Sequence, residues 1–504
     1  MDAVRHCVLG CLPAPAVTRA GTLSAADDND GEDRISALPD ELLRDIVSRL
    51  PIKDAARTAV LSPRWRRVWR STPLVLYDAH LFPSSSEDAR VAAIHRILAG
   101  HPCPLRTVHL AYCFFGAAQG PIKFVGRGCF GVHERRLAKW SRFLAAGGVQ
   151  DLVFISQPPP VDMPLPADIL RCTELRRLYL GFFHFPDTRD LPNGAGVFPH
   201  LREFVVLNTC IEDRDLDHML ASSPELETLA FVVSYGMPKL VRLLGKKLKC
   251  VLFWLSMAEE LAVVDAPSLE RLIMWHTRPP SRFDESDDEP RMRVKIACAP
   301  ELKVLGYLEL GVHKLQIEHT IIKADTEVSP TCMVPSVKIL ALRVNFSVFT
   351  EVQMLANFLR CFPNIETLHV ESVIADEPTG EHYAEFFEKV SPIECVRNNI
   401  KKVVLHKFHM DISEVAFLKF MTQRADELQK LTLVLPDEAL VQVGQDLLGA
   451  LAIPPWASKE CMVLLVGPIV ERGWDFYRAS DLSIDDPFLL EHEQELFCLV
   501  KKGE

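Results

Sequence analysis

What this 504-residue chain lacks narrows its possibilities before anything it contains does. No apolar run approaches the ~20 residues that span a bilayer, so a membrane partner is not expected. There is no long Lys/Arg run, and the formal net charge is −11. A chain of that sign is poorly suited to nucleic-acid phosphates, and no nucleic-acid partner is expected. The 14 cysteines contain no C-x-x-C pair and no Cys/His set at zinc-finger spacing. They read as reduced, mostly buried thiols in a cytoplasmic and/or nuclear protein rather than a disulfide framework or a metal site. G-x-S-x-G, the Walker lysine motif and H-E-x-x-H are absent. No catalytic residue, cofactor or metal ligand is read from the chain, and it is not expected to be an enzyme.

Two features imitate chemistry and are better explained otherwise. Gly126, Gly128 and Gly131 form G-x-G-x-x-G ahead of a helix-like stretch and a strand, like a dinucleotide-binding turn. However, Arg127, Cys129 and Phe130 put bulk in that turn. Asp151 also stands at the start of the next strand, where a ribose-binding acid would stand at its end. His406 and His409 are three residues apart but have no carboxylate or thiol at ligand spacing.

The composition that is present suits a large core: 48% of residues are hydrophobic and 24% charged. Residues 1–33 end in Asp27, Asp28, Asp30, Glu32 and Asp33, which predicts a disordered leader. Residues 34–76 predict three short helices. Pro39 and Pro63 suit first helical positions, and Ser62 suits an N-cap. Leu38, Leu42, Leu43, Ile46, Val47 and Leu50 follow helical spacing, and Pro51 stops the first helix. Trp65, Val68 and Trp69 share a face of the third.

From Leu105 a phrase recurs: an aliphatic, two other residues, an aliphatic, one other, an aliphatic. It begins at Leu105, Val149, Leu175, Leu201, Leu226, Leu248, Leu269, Leu302, Val337, Ile365, Ile400 and Leu428. After the first gap the starts are 26, 26, 25, 22, 21, 33, 35, 28, 35 and 28 residues apart. The shorter intervals match a leucine-rich repeat of ~20–29 residues. One such strand cannot bury its inward side chains alone, so neighbours must stack into a parallel sheet. Polar segments or helices then return on the outer face, as Asp213 to Ser222 suggests. Asp284, Glu285, Asp287, Asp288 and Glu289 around Ser286 read as an exposed loop.

Residues 34–76 closely resemble the F-box motif. The resemblance lies in Leu38-Pro39, the Leu42-Leu43-Ile46 ridge, Leu50-Pro51, and Val60-Leu61-Ser62 leading to Trp65-Arg66 and Trp69. Pro63 stands where a basic residue is common and Ala59 where a cysteine is, and neither removes an apolar anchor. The repeats, with SVKILALRVNF (336–346) and LRCFPNIETLHVES (359–372), resemble plant F-box/leucine-rich-repeat/FBD proteins. Residues 391–436 carry the FBD-like part, with His409-Met410-Asp411 in place of the usual Arg/Gly-containing turn.

The resemblance implies a Skp-type adaptor of a cullin-RING (SCF) ubiquitin ligase as one partner and an unknown target protein as the other. It implies an α/β fold: a three-helix F-box at 34–76, then a curved leucine-rich-repeat solenoid with its parallel sheet on the concave face. The array runs over 77–390, FBD-like repeats over 391–436, and a C-terminal cap of uncertain type over 437–504. An interaction scaffold not coupled to ubiquitylation is the competing reading. Nine basic against four acidic residues between Arg34 and Arg70 make the helical segment +5, which suits an acidic partner. Adaptor binding is expected through Leu38, Pro39, Leu42, Leu43, Ile46, Leu50, Pro51, Leu61 and Trp65.

Alternation along the strands predicts two rows. Leu180, Val206, Phe231, Phe253 and Met274 should lie buried in one. Gly181, Leu207, Val232, Trp254 and Trp275 should face the other way. If open, Leu207, Val232, Trp254 and Trp275 would contact the target. A register shift, or cover by the acidic insertion or by the segment after Pro436, would close that stripe.

Overall fold

A computed structural model describes residues 8–14, 34–81, 87–101, 104–111, 131–156, 163–189, 197–275, 292–373, 382–436, 456–458, 461–467, 476–489 and 497–498. The turn with Gly126 and Gly128, the acidic stretch around Ser286 and most of the acidic leader lie outside the described residues. The start of the leader does not follow its expectation: residues 8–10 form a helical turn, and Val8, Cys11 and Leu12 are buried. Their apolar side chains escape water, which a disordered leader would not achieve. The chain divides into two compact units, residues 1–238 and 239–504.

The first unit opens with α1 (Asp40–Ser48), α2 (Ile52–Thr58) and α3 (Pro63–Ser71). Ser62 caps α3, its hydroxyl accepting from the Trp65 amide at 3.3 Å. Leu43, Val47, Ala55, Trp65 and Val68 form the small core, with Leu38, Leu50 and Trp69 half-buried against it. Six parallel strands follow: β1 (Leu74–Tyr77), β2 (Leu105–Leu110), β3 (Asp151–Ile155), β4 (Arg177–Gly181), β5 (Glu203–Leu207) and β6 (Thr228–Val232). They pair in chain order. α4 (Glu87–Gly100), α5 (Gly131–Ala146) and α6 (Asp213–Ala221) return between strands.

Leu180, Val206 and Phe231 are register partners in successive strands and are fully buried. One backbone device repeats with the phrase. The residue just past β4, β5 and β6 has positive φ, at Phe182 (59°), Asn208 (44°) and Val233 (53°). Such a turn is uncommon for residues with a side chain. Here it directs the Phe182 and Asn208 amides onto Leu207 and Val232 carbonyls at 3.0 and 2.8 Å.

The second unit has two sheets. β8 (Cys250–Trp254), β10 (Arg271–Trp275), β12 (Val304–Glu309), β15 (Ile339–Asn345), β16 (Thr367–Val373), β17 (Lys402–His406), β18 (Lys430–Val434) and β19 (Met462–Val466) are parallel neighbours in that order, and β20 (Phe497–Cys498) pairs antiparallel with β19. The returns between its early phrases are strands, where the sequence suggests helices or polar segments. β7 (Leu240–Leu244), β9 (Glu260–Asp265), β11 (Met292–Ile296) and β13 (His313–Ile317) run parallel, with β14 (Thr320–Ile321) antiparallel at the edge. β7, β11 and β13 alternate buried with less buried residues, the pattern of a sheet packed on one face. Later returns are helical: α7 (Phe349–Cys361), α8 (His382–Lys389), α9 (Glu394–Asn398) and α10 (Ile412–Arg424). The turn at His409-Met410-Asp411 is closed by Glu414, whose carboxylate accepts from the His409 and Asp411 amides at 3.0 and 2.9 Å.

The twelve phrases fall on β2 to β6, β8, β10, β12 and β15 to β18, with one correction. Leu305 pairs with Leu340 and Leu308 with Leu342, so Leu308 takes the place expected of Tyr307. Gly306 and Tyr307 bulge between them. A Cβ on Gly306 would stand 2.6 Å from the Ala341 carbonyl oxygen, so only glycine fits this approach.

Candidate functional site

Two surfaces answer the expectations for partner binding, one in each unit. On α1, two apolar stripes lie side by side, because residues four apart share a helical face. Leu43 and Val47 make the inner stripe and are buried. Leu42 and Ile46 make the outer one, 52% and 39% exposed. Leu61 and Val60 are exposed by 66% and 80%. Pro39 is exposed, whereas Leu38, Leu50 and Pro51 are half-buried.

Leu43 and Trp65 therefore leave the set of expected adaptor contacts. Helical phase turns Leu43 inward, and the Trp65 indole N–H donates to Ser36 Oγ at 3.0 Å from within the core. Arg64 braces the same corner through the Ser36 and Leu38 carbonyls and Asp40. Val60 was not among the expected contacts. Its position in the short link between α2 and α3, rather than any periodicity, exposes it. Asp40, Glu41, Asp45 and Asp54 each pair with an arginine, namely Arg64, Arg44, Arg49 and Arg57. The segment's positive surplus remains after that pairing.

The stripe expected to hold the target is closed. Leu207 and Val232 are 0% exposed in the first unit, and Gly181 is buried. In the second unit Trp254 is 7% exposed and Trp275 half-buried. The alternation itself holds: Phe253 and Met274 are buried register partners, and Trp254 and Trp275 are partners on the opposite face. The C-terminal segment is what covers the tryptophans. Phe476 stands edge-on to Trp254 with ring centroids 6.0 Å apart. Trp254 meets Trp275, Trp275 meets Tyr307, Tyr307 meets Phe488 and Phe488 meets His369, at 6.0, 5.4, 5.1 and 5.4 Å. Tyr307 reaches this face because of the Gly306 bulge.

Polar groups anchor the same segment. Arg271 shares a face with Ile273 and Trp275 by strand alternation and is 3% exposed. Its guanidinium donates to the carbonyls of Ala479, Asp481, Arg478 and Ile484 at 2.8, 3.1, 3.4 and 2.6 Å. A cation at the C-terminal carbonyls of the short helix Phe476–Ser480 is favoured by the direction of the peptide dipoles. Burial draws the Arg271 pKa below the usual arginine value. Asp486 Oδ2 lies 3.1 Å from His369 Nε2, and His369 Nδ1 lies 3.3 Å from His406 Nε2. Burial opposes ionisation of Asp486, but His369 and the Phe488 amide outweigh it, and the carboxyl sits below its ordinary value. A charged ladder adjoins them: Arg343 lies 3.7 Å from Glu309 and 3.6 Å from Glu371, and Lys407 lies 2.9 Å from Glu371.

Among the described residues no group of three or more His, Cys, Asp or Glu is placed to hold a metal, and no helix is long and apolar enough to cross a membrane. Among the described residues no disulfide is formed, and burial lifts Cys172, Cys361, Cys395 and Cys461 to about 12. These are packing thiols, not nucleophiles. Asp151 is engaged by Arg177 at 2.8 Å and by Thr107 at 3.2 Å.

A three-helix unit with an exposed apolar stripe, followed by one-strand-per-repeat parallel sheets, defines an F-box protein with leucine-rich repeats. Comparison with known families agrees. The F-box domain matches residues 35–77, the repeats of "FBD-associated F-box protein At5g56370, LRR repeats" match 137–370, and FBD matches 388–433. The chain thus carries an F-box, leucine-rich repeats and an FBD in that order; families with these domains are typically non-catalytic.

Similar proteins come from Arabidopsis thaliana. F-box/FBD/LRR-repeat protein At2g04230 is 30% identical over 40% of this chain and 48% of its own length. F-box/LRR-repeat protein At3g26922 is 30% identical over 39% of this chain and 59% of its own length. Putative F-box/FBD/LRR-repeat protein At5g44950 is 22% identical over 86% of this chain and its full length. The chain thus spans about half the length of the first two relatives.

Proposed function

We propose that the chain is the non-catalytic substrate-recognition subunit of an SCF-type ubiquitin ligase, binding a Skp-type adaptor through the F-box and a target protein through the repeats. The exposed stripe of Leu42 and Ile46, with Leu61 and Val60, carries this reading. These side chains exceed what so small a helical unit can bury for itself. Burying each against a partner is worth about 1.5–3 kcal/mol, and the basic surplus suits an acidic surface. The segment 34–76 would serve as the adaptor module, 77–436 as the array with its FBD-like end, and 437–504 as its cap. The protein would act in the cytoplasm and/or nucleus, which imaging of a tagged chain would test.

Adaptor capture by the full chain is the direct test. Leu42→Asp with Ile46→Asp should abolish it while the thermal unfolding of the chain stays as in wild type. Undiminished capture, or no capture by the wild type, would favour the alternative of a repeat scaffold outside the ubiquitin system.

A further inference from the structure

The covered sheet face of the second unit is occupied by one stretch of the chain itself. The segment Phe476 to Leu489 adds no strand to either sheet among the described residues. Its residues meet the face in an interrupted pattern. Phe476, Ala479, Asp486, Pro487 and Phe488 are buried, while Tyr477, Asp481, Ser483 and Asp485 between them are exposed. Anchors separated by exposed residues are the pattern of a segment that lies on a surface, the way a bound peptide also lies. The receiving side is also unlike a core. Arg271 is buried and, among the described residues, has no carboxylate in ion-pair range; four carbonyls of the segment take its hydrogen bonds. Such a group reads the course of a backbone more than the identity of side chains. Specificity then falls to three side-chain pairs: Phe476 on Trp254, Asp486 on His369, and Phe488 between Tyr307 and His369. A buried cation is costly without partners, so this face needs an occupant that supplies carbonyls and an acid.

We infer that the segment occupies this face as a stand-in for the target. The sheet face of β8, β10, β12 and β16 is then the recognition site, and it takes a peptide of the same chemistry. That peptide presents an aromatic residue at the head of a helical turn whose last carbonyls are free. An aspartate follows, with a second aromatic two residues beyond it. This inference rests on the reading that the repeats hold the target.

The test uses the full chain and a fluorescent peptide spelling residues 475–489. Tethering holds the internal segment at an effective concentration on the order of millimolar, so the wild-type chain should bind the free peptide weakly. Phe476→Ala with Phe488→Ala should release the internal copy and tighten peptide binding at least tenfold. Adding Arg271→Met to that variant should reverse the gain, as should Asp486→Ala within the peptide. Binding that does not improve on release, or that ignores Arg271→Met, overturns the inference. Loss of a cooperative unfolding transition in the released variant overturns it too, since a replaceable occupant leaves its host folded. Adaptor capture measured in parallel reports on the F-box alone, so failure of that reading would be seen separately.

Discussion

The outer stripe of α1 is open to water, whereas the sheet face of the second unit, read from the sequence as either open or covered, is covered. On α1, Leu42 and Ile46 stay in water although their neighbours Leu43 and Val47 are fully inside. On the sheet, Trp254 is covered by an aromatic residue 222 positions later in the chain. Period and alternation tell which side chains share a face, but not what lies against that face. The three short helices bury only the inner stripe of α1 among themselves and leave the second uncovered. For a sheet face, any later segment with aromatic anchors can.

The comparison can be broken most severely at Trp65. If it belongs to the interior, Trp65→Ala should destabilise the helical unit by about 3–5 kcal/mol. Adaptor capture would then fall through unfolding, and helical circular dichroism of the isolated segment 34–76, or its hydrogen exchange within the full chain, would reveal it. An outer-stripe change such as Leu42→Ala should weaken capture without raising exchange in α1 to α3.

A smaller effect is expected on the covered side. Gly306→Ala must displace the Ala341 carbonyl or undo the bulge that brings Tyr307 beneath Phe488. A loss of about 1–3 kcal/mol is expected, with chymotryptic cleavage at the exposed Tyr477 becoming faster. Unchanged cleavage would mean that Tyr307 is not needed to seat the segment.

The mildest discrimination uses pH. His313 is fully buried, its Nδ1 accepting the Glu309 amide at 2.9 Å, and burial lowers its pKa to about 3. Between the ordinary histidine value near 6.5 and about 3, the unfolded chain binds a proton that the folded chain refuses. Stability is therefore complete above that window and falls on acidification, by about 1.4 kcal/mol per pH unit for this group. No histidine lies between Arg34 and Ser71. Lowering pH from 7 to 5 should raise hydrogen exchange in β11 and β13, corrected for intrinsic rate, far more than in α1 to α3. His313→Asn, which keeps an acceptor without a titration, should flatten that response.

Much of the fold was legible because the repeat phrase records burial directly: a side chain that must be interior in every stacked strand recurs at fixed spacing. The row of Leu180, Val206 and Phe231 follows from that alone. The second sheet was not legible, since β7, β9, β11 and β13 are short returns that pair in chain order with partners tens of residues away. β19 went unseen because no full phrase marks it. The helical site was legible as a set of residues, but resolving it into inner and outer stripes needed the rotation of α1 against Trp65. Arg271 and His369 gave a faint signal, being polar residues inside apolar strands. Their roles depend on Ala479, Ile484 and Asp486, which no local pattern connects to them.

The extra residue at Gly306-Tyr307 shows how an array of this kind can be edited. Between Leu305 and Leu308 the strand slips by one and is back in step within a single repeat, so Leu340 and Leu342 keep their partners. A one-residue insertion acts as a local change of reading frame: it hands a ring to the opposite face of the sheet, while Leu308 takes the interior place beside Leu342. The interior and the exterior of such a protein can thus diverge at separate rates, with indels in a strand as raw material for new surfaces.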